Sequence, residues 1–377
     1  MAAVERSIDY RVFDADNHYY EPVDMFGRYI EPAFADRTFV TEERDGETIV
    51  LFDGHPFGFI GGEGNKQRIR PGALRAYLRG EPPADDDEVD DSYASDPGAR
   101  LAKMDAQGVE ATLMFPSTGV TIENFLRDDP ELLLAHVRAF NRWLDDAWGF
   151  DCERRIFSPA MISLVDPDEA VRELEIVLAQ GARAVQMLPG PATWGRSPAD
   201  AVYDPFWARV EEAGVLVTLH LGNSGYMERY SADWGEDPDP DGIARTGERT
   251  AASGHRSPDR PGGRSAFQWS MLYRDRPVMD TLAILIFHNL FGRFPGVQVV
   301  SVENGSIWVP YLLTAMDNMK GMGRNGPWPG GYVAGRPSEV FKRHVSVSPH
   351  HYGEDVAGLA DLLGPERVLF GSDFPHT

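Results

Sequence analysis

Five polar side chains supply the mixture of imidazole and carboxylate groups that binds zinc, iron or manganese in proteins. Each lies where a predicted β-strand ends: Asp16 and His18 after the first strand, His220 at the end of the fifth, Glu303 after the sixth and Asp373 after the eighth. Asp16 and His18 are two residues apart, so an extended backbone places both side chains on the same side. The sequence therefore predicts a metal site built from these residues.

The proportion of carboxylates in this set bears on the number of metal ions. Carboxylates can bridge two cations and offset their charge, so two histidines and three carboxylates suit a dinuclear site better than a single zinc ion. Carboxylate-rich sites with few histidines are characteristic of di-iron chemistry. We expect two iron ions, with Glu303, Asp373 and His220 as the catalytic residues. The alternative is one zinc or manganese ion, with Glu303 as a general base.

Each of these residues also has a structural interpretation. Asp16 and His18 could cap the first strand-to-helix turn, and His220 could be a hydrogen-bonded histidine of the core. Asp373 could be the N-cap of a following helix. Glu303 could accept hydrogen bonds behind the ligands instead of binding the ion.

Six further side chains are candidates for contacts with the ligands or the substrate. His288 lies in the apolar helical run Leu282–Leu290, where a packing histidine is the alternative. The others could equally be loop or core residues. The set is His288, His350, His351, His376, Tyr19 and Asn304.

The elements that must position these residues alternate between short β-rich runs and longer helical patterns, which favours βα units around a parallel sheet. Helices are predicted at Pro97–Gln107, Pro130–Trp148, Pro167–Gln180, Pro205–Ala213 and Arg276–Phe294. Eight strands are predicted, which indicates an α/β fold of the (β/α)₈ TIM-barrel type. They are Tyr10–Ala15, Ala111–Phe115, Ile156–Leu164, Arg183–Leu188, Val215–Leu221, Val297–Val302, His344–Ser348 and Val368–Gly371.

We expect residues 1–377 to form one domain with two insertions. Residues 38–95, after the first strand, include a predicted hairpin at Thr38–Phe52 that turns at Asp45-Gly46, and the acidic run Asp85–Asp91. Residues 222–275 follow the fifth strand, where barrel loops build active sites, so they could form a lid or structural filler. No eighth helix follows the eighth strand, and we expect the natural sequence to continue beyond Thr377.

The composition excludes several function classes. With 36 Lys and Arg against 59 Asp and Glu, the formal charge is −23, which repels nucleic-acid phosphate and anionic lipid. The lone Cys152 rules out an intrachain disulfide and a thiolate metal cluster. Residues 1–12 lack an uninterrupted apolar run, so no signal peptide or membrane span is predicted there. We expect a cytoplasmic protein.

Several motifs resemble the amidohydrolase-related family, in particular its aminocarboxymuconate-semialdehyde decarboxylase type. They follow the family's order from about Tyr10 to the chain end. The resemblance implies an amidohydrolase-like barrel, a homodimer, and metal ligation by Asp16, His18, His220 and Asp373. The matching segments are Asp14–Pro22, Val217–His220, Phe291–Pro295, Val299–Gly305 and Gly371–His376.

The sequence departs from the family's pattern at three places. Asp16 replaces the first histidine of the common His-x-His pair, and Glu303 stands where the decarboxylases carry a catalytic histidine. The end of the fourth strand, Gln186–Pro189, has no lysine that could bridge two ions. The carboxylate-rich site is similar to that of a small di-iron branch on this fold, which hydroxylates substrates with O₂ in secondary metabolism.

We therefore expect an O₂-dependent di-iron monooxygenase that hydroxylates a secondary metabolite or an acyl substrate. The alternatives are a mononuclear zinc or manganese hydrolase or non-oxidative decarboxylase of a carboxylic acid, and a metal-binding barrel without catalysis. The predicted partner is a small molecule, either a carboxylate or a compound linked to coenzyme A, for which the arginines of Arg256–Arg276 are candidates.

Overall fold

The ring of parallel strands predicted from the sequence is present in the computed structural model of the chain, which describes residues 10–44, 47–57, 92–238, 264–272 and 275–376. The strands are β1 Val12–Tyr19, β2 Phe39–Arg44, β3 Glu47–Phe52, β4 His55–Pro56, β5 Val109–Pro116, β6 Asp151–Cys152, β7 Ile156–Phe157, β8 Ala160–Met161, β9 Ala184–Met187, β10 Leu216–His220, β11 Val299–Val302 and β12 Val345–Val347.

Parallel pairing runs from β1 to β5 to β7 on one side and from β8 through β9, β10 and β11 to β12 on the other. The third barrel position, predicted as one strand over Ile156–Leu164, consists of the short strands β7 and β8. Pro159 lies between them and has no N–H for a continuous ladder. Residues 368–374 close the ring, because single bridges join Val368 to Val347 and Phe374 to Asn17. The TIM-barrel prediction is confirmed, although Val368–Gly371 is not a regular strand.

Helices cover the outside of the ring. They are α1 Met25–Tyr29, α2 Pro97–Gln107, α3 Ile122–Leu126, α4 Pro130–Ala147, α5 Pro167–Ala179, α6 Asp204–Ala213, α7 Tyr226–Asp233, α8 Ala266–Leu272, α9 Arg276–Phe287, α10 Leu290–Arg293, α11 Val309–Met322, α12 Pro337–His344 and α13 Val356–Leu363. The predicted helix Arg276–Phe294 is divided into α9 and α10 by Asn289, whose φ is +53°. A left-handed residue ends one helix before the next begins.

Aspartates that precede proline begin three of the helices. The side chains of Asp96, Asp129 and Asp166 accept hydrogen bonds from backbone N–H groups in the first turns of α2, α4 and α5. Proline at the first helical position has no N–H to satisfy, so it fits there without cost. These capping residues determine where the three helices begin.

The apolar residues form two layers. The larger layer lies between the ring and the helices, and a small one fills the inside of the ring with Leu113, Phe115, Ala184, Val300 and Val302. The ring of Phe115 lies 4.5 Å from that of His220, measured between centroids. The polar groups at the strand ends therefore lie directly above an apolar layer inside the ring.

Both predicted insertions are partly described. Strands β2 and β3 pair antiparallel, which confirms the hairpin, whereas its turn at residues 45–46 and the acidic run Asp85–Asp91 lie outside the described residues. The second insertion contributes α7 and α8. In the described parts of the chain, we find no helix with the length and hydropathy that crossing a bilayer requires.

Candidate metal centre

Strand β1 delivers two of the predicted ligands. The first strand was predicted to end at Ala15, but β1 continues to Tyr19 and pairs in parallel with β5 as far as Pro116. Asp16 and His18 therefore lie within the strand, each with 1% of its surface exposed. Both side chains lie among the other candidate ligands, as two-residue alternation predicts.

The five predicted ligands converge. His18 Nε2 lies 3.4 Å from Asp16 Oδ1, 3.2 Å from Asp373 Oδ1 and 3.7 Å from Glu303 Oε2. His220 Nε2 lies 3.1 Å from Glu303 Oε2 and 3.5 Å from Asp16 Oδ1. Residues more than 350 positions apart in the chain thus meet at one end of the barrel, as the convergence of strand ends requires.

Backbone carbonyls orient both histidines. The Nδ1 atom of His18 lies 3.2 Å from the carbonyl oxygen of Pro116, and that of His220 lies 2.8 Å from the carbonyl oxygen of Leu221. A carbonyl oxygen only accepts, so each Nδ1 carries the proton that is donated. Each Nε2 then presents its lone pair to the carboxylates, which is the orientation that metal-binding histidines adopt.

Three buried polar atoms at the centre of this cluster have no hydrogen-bond partner: Asp16 Oδ1, His18 Nε2 and His220 Nε2. Buried polar atoms normally have partners, and a cation between a carboxylate oxygen and two imidazole lone pairs would satisfy all three. The donor set therefore fits a divalent metal ion. Oxygen and nitrogen donors without sulfur suit manganese, iron or zinc.

The turns after β11 and at the eighth position present the other two carboxylates. Glu303 and Asp373 have φ values of +60° and +55°, a left-handed conformation that is uncommon for residues other than glycine. Next to Glu303, the side-chain amide of Asn304 donates to the carbonyl oxygens of Leu219 and Val302, at 2.8 and 2.7 Å. Asn304 thus supports the turn that directs Glu303 towards the cluster.

The two carboxylates differ in their proton affinity. Burial raises the pKa of Glu303 to about 7, and the nearby charge of Asp373 acts in the same direction. For Asp373 burial also favours the neutral form, but the His18 and His376 side chains that face its carboxylate outweigh burial and lower its pKa. Before a cation binds, Asp373 is therefore charged at neutral pH, whereas Glu303 is close to its titration midpoint. A bound cation favours the charged form of both.

The other candidate residues divide into two groups. His376 donates from Nδ1 to Asp373 at 2.8 Å, and His350 forms a possible ligand group with Glu303 and Asp373. His351 is exposed, with Nε2 4.0 Å from Asp275. Like His351, the remaining two residues belong to none of the possible ligand groups of the described residues: His288 ends α9, and Tyr19 packs against Trp143 and Trp148.

A cavity of about 180 Å³ opens beside the cluster. Its lining combines potential ligands with apolar residues and a few neutral polar groups, and Leu272 of the second insertion is part of its wall. The lining residues are His18, Pro116, Ser117, Val120, Thr121, His220, Leu221, Gly222, Asn223, Leu272, Glu303 and His376.

Sequence reasoning missed the residues that hold the loop after β5. The buried carboxylate of Glu21 accepts hydrogen bonds from the backbone N–H groups of Ser117, Thr118 and Gly119, at 2.8 to 3.2 Å. The hydroxyl of Ser117 also lies 3.1 Å from His376 Nε2. Glu21 stands in the motif Asp14–Pro22, but nothing in the sequence indicated that it would reach a loop almost one hundred residues away.

The comparisons with known proteins agree with the barrel fold. The model of the family described as "Amidohydrolase" matches residues 14–377. An amidohydrolase from Mycobacterium avium subsp. paratuberculosis is 34% identical, with 98% of this chain and 91% of that chain covered and a TM-score of 0.80. No curated protein matches the chain.

Two more distant structures have printed activities. A 5-carboxyvanillate decarboxylase from Novosphingobium aromaticivorans, in complex with manganese and a nitrobenzoic acid, is 15% identical over 97% of this chain and 87% of that chain, with a TM-score of 0.58. A 2,6-dihydroxybenzoate decarboxylase from Rhizobium is 17% identical over 97% and 88% of the two chains, with a TM-score of 0.56. At these identities the likeness shows the fold.

Proposed function

Since the chain belongs to the amidohydrolase family of metal-dependent enzymes, we propose that it decarboxylates a small organic acid without O₂, using one divalent cation. Asp16, His18, His220 and Asp373 would hold the cation. One observation carries the choice of reaction: Glu303 lines the cavity next to this ligand set, with its Oε2 atom 3.1 Å from His220 Nε2. A carboxyl group of this kind can give a proton to the carbon atom that loses carbon dioxide.

When bound, the cation would hold the acidic group of the substrate in place and offset its negative charge. The chain's own residues do the rest. His18 and His220 are held by backbone carbonyls, so their orientation is set before the substrate arrives. Glu303 donates a proton to the carbon atom that loses carbon dioxide, and the turn stabilised by Asn304 fixes the position of the Glu303 side chain.

The cavity fits a substrate with a single ring. Its volume of about 180 Å³ is close to the 150 Å³ of an engineered apolar cavity that binds benzene. Val120, Leu221 and Leu272 offer apolar contacts, while Ser117 and Asn223 can form hydrogen bonds. Among the described residues that line the cavity there is no lysine or arginine, so the cation would be the positive charge that meets a carboxylate.

The proposal can be tested with the substrates named for the distant relatives. Protein loaded with Mn²⁺ is incubated without oxygen with 2,6-dihydroxybenzoate or 5-carboxyvanillate, and released CO₂ is measured. We expect release from at least one of a panel of such ring acids, and a fall of about 10²- to 10⁴-fold in Glu303→Gln, the range that general acid–base catalysis contributes. Release that is unchanged in this variant would refute the role of Glu303.

A second candidate is the O₂-dependent dinuclear enzyme, which the comparisons do not support. It is favoured by a specific observation: Glu303, His350 and Asp373 form a second possible ligand group, which shares Glu303 with the group of Asp16, His18 and His220. Two ions could then occupy neighbouring positions on either side of Glu303. Metal analysis after reconstitution with Fe²⁺, with O₂ uptake measured in the presence of a reductant, separates the candidates. One ion per chain and no O₂ uptake would eliminate the second.

A further inference from the structure

A network of buried polar side chains lies directly behind the candidate metal ligands, at the seam where the barrel closes. The seam joins β1 to residues 368–374, which occupy the eighth position without regular strand pairing. Backbone hydrogen bonds cross it from Ala15 to Phe370 and from Asp373 to Asp16, both at 2.8 Å. Both sides of the seam carry candidate ligands, so its geometry determines the spacing between them.

Asp14 is the centre of this network. Its carboxylate, with 1% of the residue exposed, accepts from the backbone N–H of Ser372 at 3.0 Å and from the Ser372 hydroxyl at 2.5 Å. On its own strand it accepts from the Asn17 amide at 2.9 Å and from the Asp16 N–H at 3.1 Å. One carboxylate thus connects the residue before Asp373 to the segment that carries Asp16.

Arg100, on α2, extends the network from outside the ring. Its guanidinium group, 1% exposed, donates to the side-chain oxygen of Asn17 and to the backbone oxygen of His18. It also lies 5.2 Å from the centroid of the Phe374 ring. Arg100 therefore contacts both sides of the seam: Phe374, which follows Asp373, on one side, and His18 on the other.

The conformation of Asp373 explains why such a network is needed. Its φ of +55° is left-handed, a conformation that is less favourable for aspartate than for glycine. The residues on either side hold this conformation in place: Ser372 through Asp14, and Phe374 through its N–H, which donates to the Ser372 hydroxyl at 3.2 Å. Without these bonds the turn could relax and move the Asp373 carboxylate away from His18.

We propose that Asp14, Asn17, Arg100 and Ser372 form a positioning network that holds Asp373 against Asp16 and His18, so that the network sets the metal affinity without supplying a ligand. This inference rests on the proposed metal centre and deepens it. Residues behind metal ligands typically change affinity by 10- to 100-fold when they are replaced.

Ser372→Ala is the direct test, because it removes one hydroxyl and leaves every ligand in place. The probe is Mn²⁺ alone, with free Mn²⁺ measured by electron paramagnetic resonance. We expect the Kd to rise about 10-fold in Ser372→Ala and to stay near the wild-type value in Ser372→Thr, which keeps the hydroxyl.

Ser338→Ala is a matched control. The backbone N–H and the hydroxyl of Ser338 donate to the two carboxylate oxygens of Asp317, at 2.9 and 2.7 Å, the same arrangement as between Ser372 and Asp14 but at the start of α12. It should leave the Kd unchanged. Equal effects of the two alanine variants, or no effect of either, would overturn the proposal. Thermal unfolding of each variant confirms that it folds.

A double-mutant cycle tests whether the network acts through Asp373. Effects that share one path are not additive, so Ser372→Ala should change the Kd little when Asp373→Ala is already present. A full 10-fold effect in that background would overturn the proposal. If the wild-type protein binds no Mn²⁺, or if Asp373→Ala binds it as tightly as the wild type, the metal centre itself is wrong, and this outcome is distinct from a failure of the network.

Discussion

Glu303→Gln should stabilise the metal-free protein, because the native site concentrates negative charge for a cation. The pKa of Glu303 rises from 4.5 to about 7 in the folded chain, and its side chain is 16% exposed. A difference of about 2.5 pKa units corresponds to about 3.4 kcal/mol between the charged and neutral forms. Glutamine keeps the shape of the side chain and cannot become charged, so it should recover most of this free energy at high pH.

The effect has a defined pH dependence. A carboxyl group whose folded pKa lies above its unfolded value destabilises the fold only when it is charged. The destabilisation is absent below pH 4.5, grows between pH 4.5 and 7, and is complete above pH 7. The advantage of the variant over the wild type should therefore be about 1.4 kcal/mol at pH 5.5 and about 3.4 kcal/mol at pH 8.5.

Urea unfolding of EDTA-treated protein at these two pH values measures the difference. Adding Mn²⁺ should reduce or reverse it, because a ligand that binds only the folded state stabilises it in proportion to its affinity, and the wild type has one more carboxylate near the cation. Glu212→Gln, at a side chain that is 77% exposed, is the control and should change nothing. Equal stability of Glu303→Gln and wild type at pH 8.5, or an advantage independent of pH, would refute the reasoning.

Two further predictions concern the surroundings of the site. Burial lowers the pKa of His136 to about 4, below its unfolded value near 6.5, so the wild type should lose about 2.5 kcal/mol between pH 7 and pH 4.5 through this residue; His136→Phe should lack this part of the pH dependence in urea unfolding. The same pH dependence in the variant and the wild type would contradict this prediction. A Cβ at Gly222 would lie 2.9 Å from the backbone oxygen of Val120 across the cavity, so Gly222→Ala should destabilise the protein by about 1–3 kcal/mol in thermal unfolding. Gly321 lies in open space within α11, so Gly321→Ala should stabilise the protein by up to about 1 kcal/mol in the same assay.

The sequence predicted the barrel and the meeting of the five polar side chains for one physical reason. Parallel strands that alternate with helices have to place their carboxyl ends on one face, so Asp16, His220 and Glu303 could be brought together without knowledge of any loop. The prediction needed strand ends correct only to within two or three residues. It tolerated the early end assigned to β1 and the irregular eighth position. The expected homodimer and cytoplasmic location stay predictions.

The network behind the ligands could not be predicted in the same way. Asp14, Ser372 and Arg100 meet because of the backbone path at the seam, including a left-handed residue at 373. Left-handed conformations are expected at glycine and less often at asparagine and aspartate, and nothing in the sequence distinguished Glu303 or Asp373 from the other acidic residues in this respect. The buried contact of Glu21 with Ser117 and its neighbours also depends on a loop conformation. These contacts follow from geometry that composition and periodicity do not encode.

The reaction depends on what Glu303 does, and its two possible roles have opposite consequences. As a ligand, Glu303 loses its proton when the cation binds, so Glu303→Gln should weaken Mn²⁺ binding strongly. As a proton carrier beside four other ligands, it should lose catalysis while Mn²⁺ affinity changes only a few-fold. Its distance of 3.1 Å from His220 Nε2 permits the first role, and its place in the cavity wall permits the second. Because only the second role leaves an occupied metal site without turnover, measuring Mn²⁺ affinity and CO₂ release on the same variant separates the two roles of Glu303.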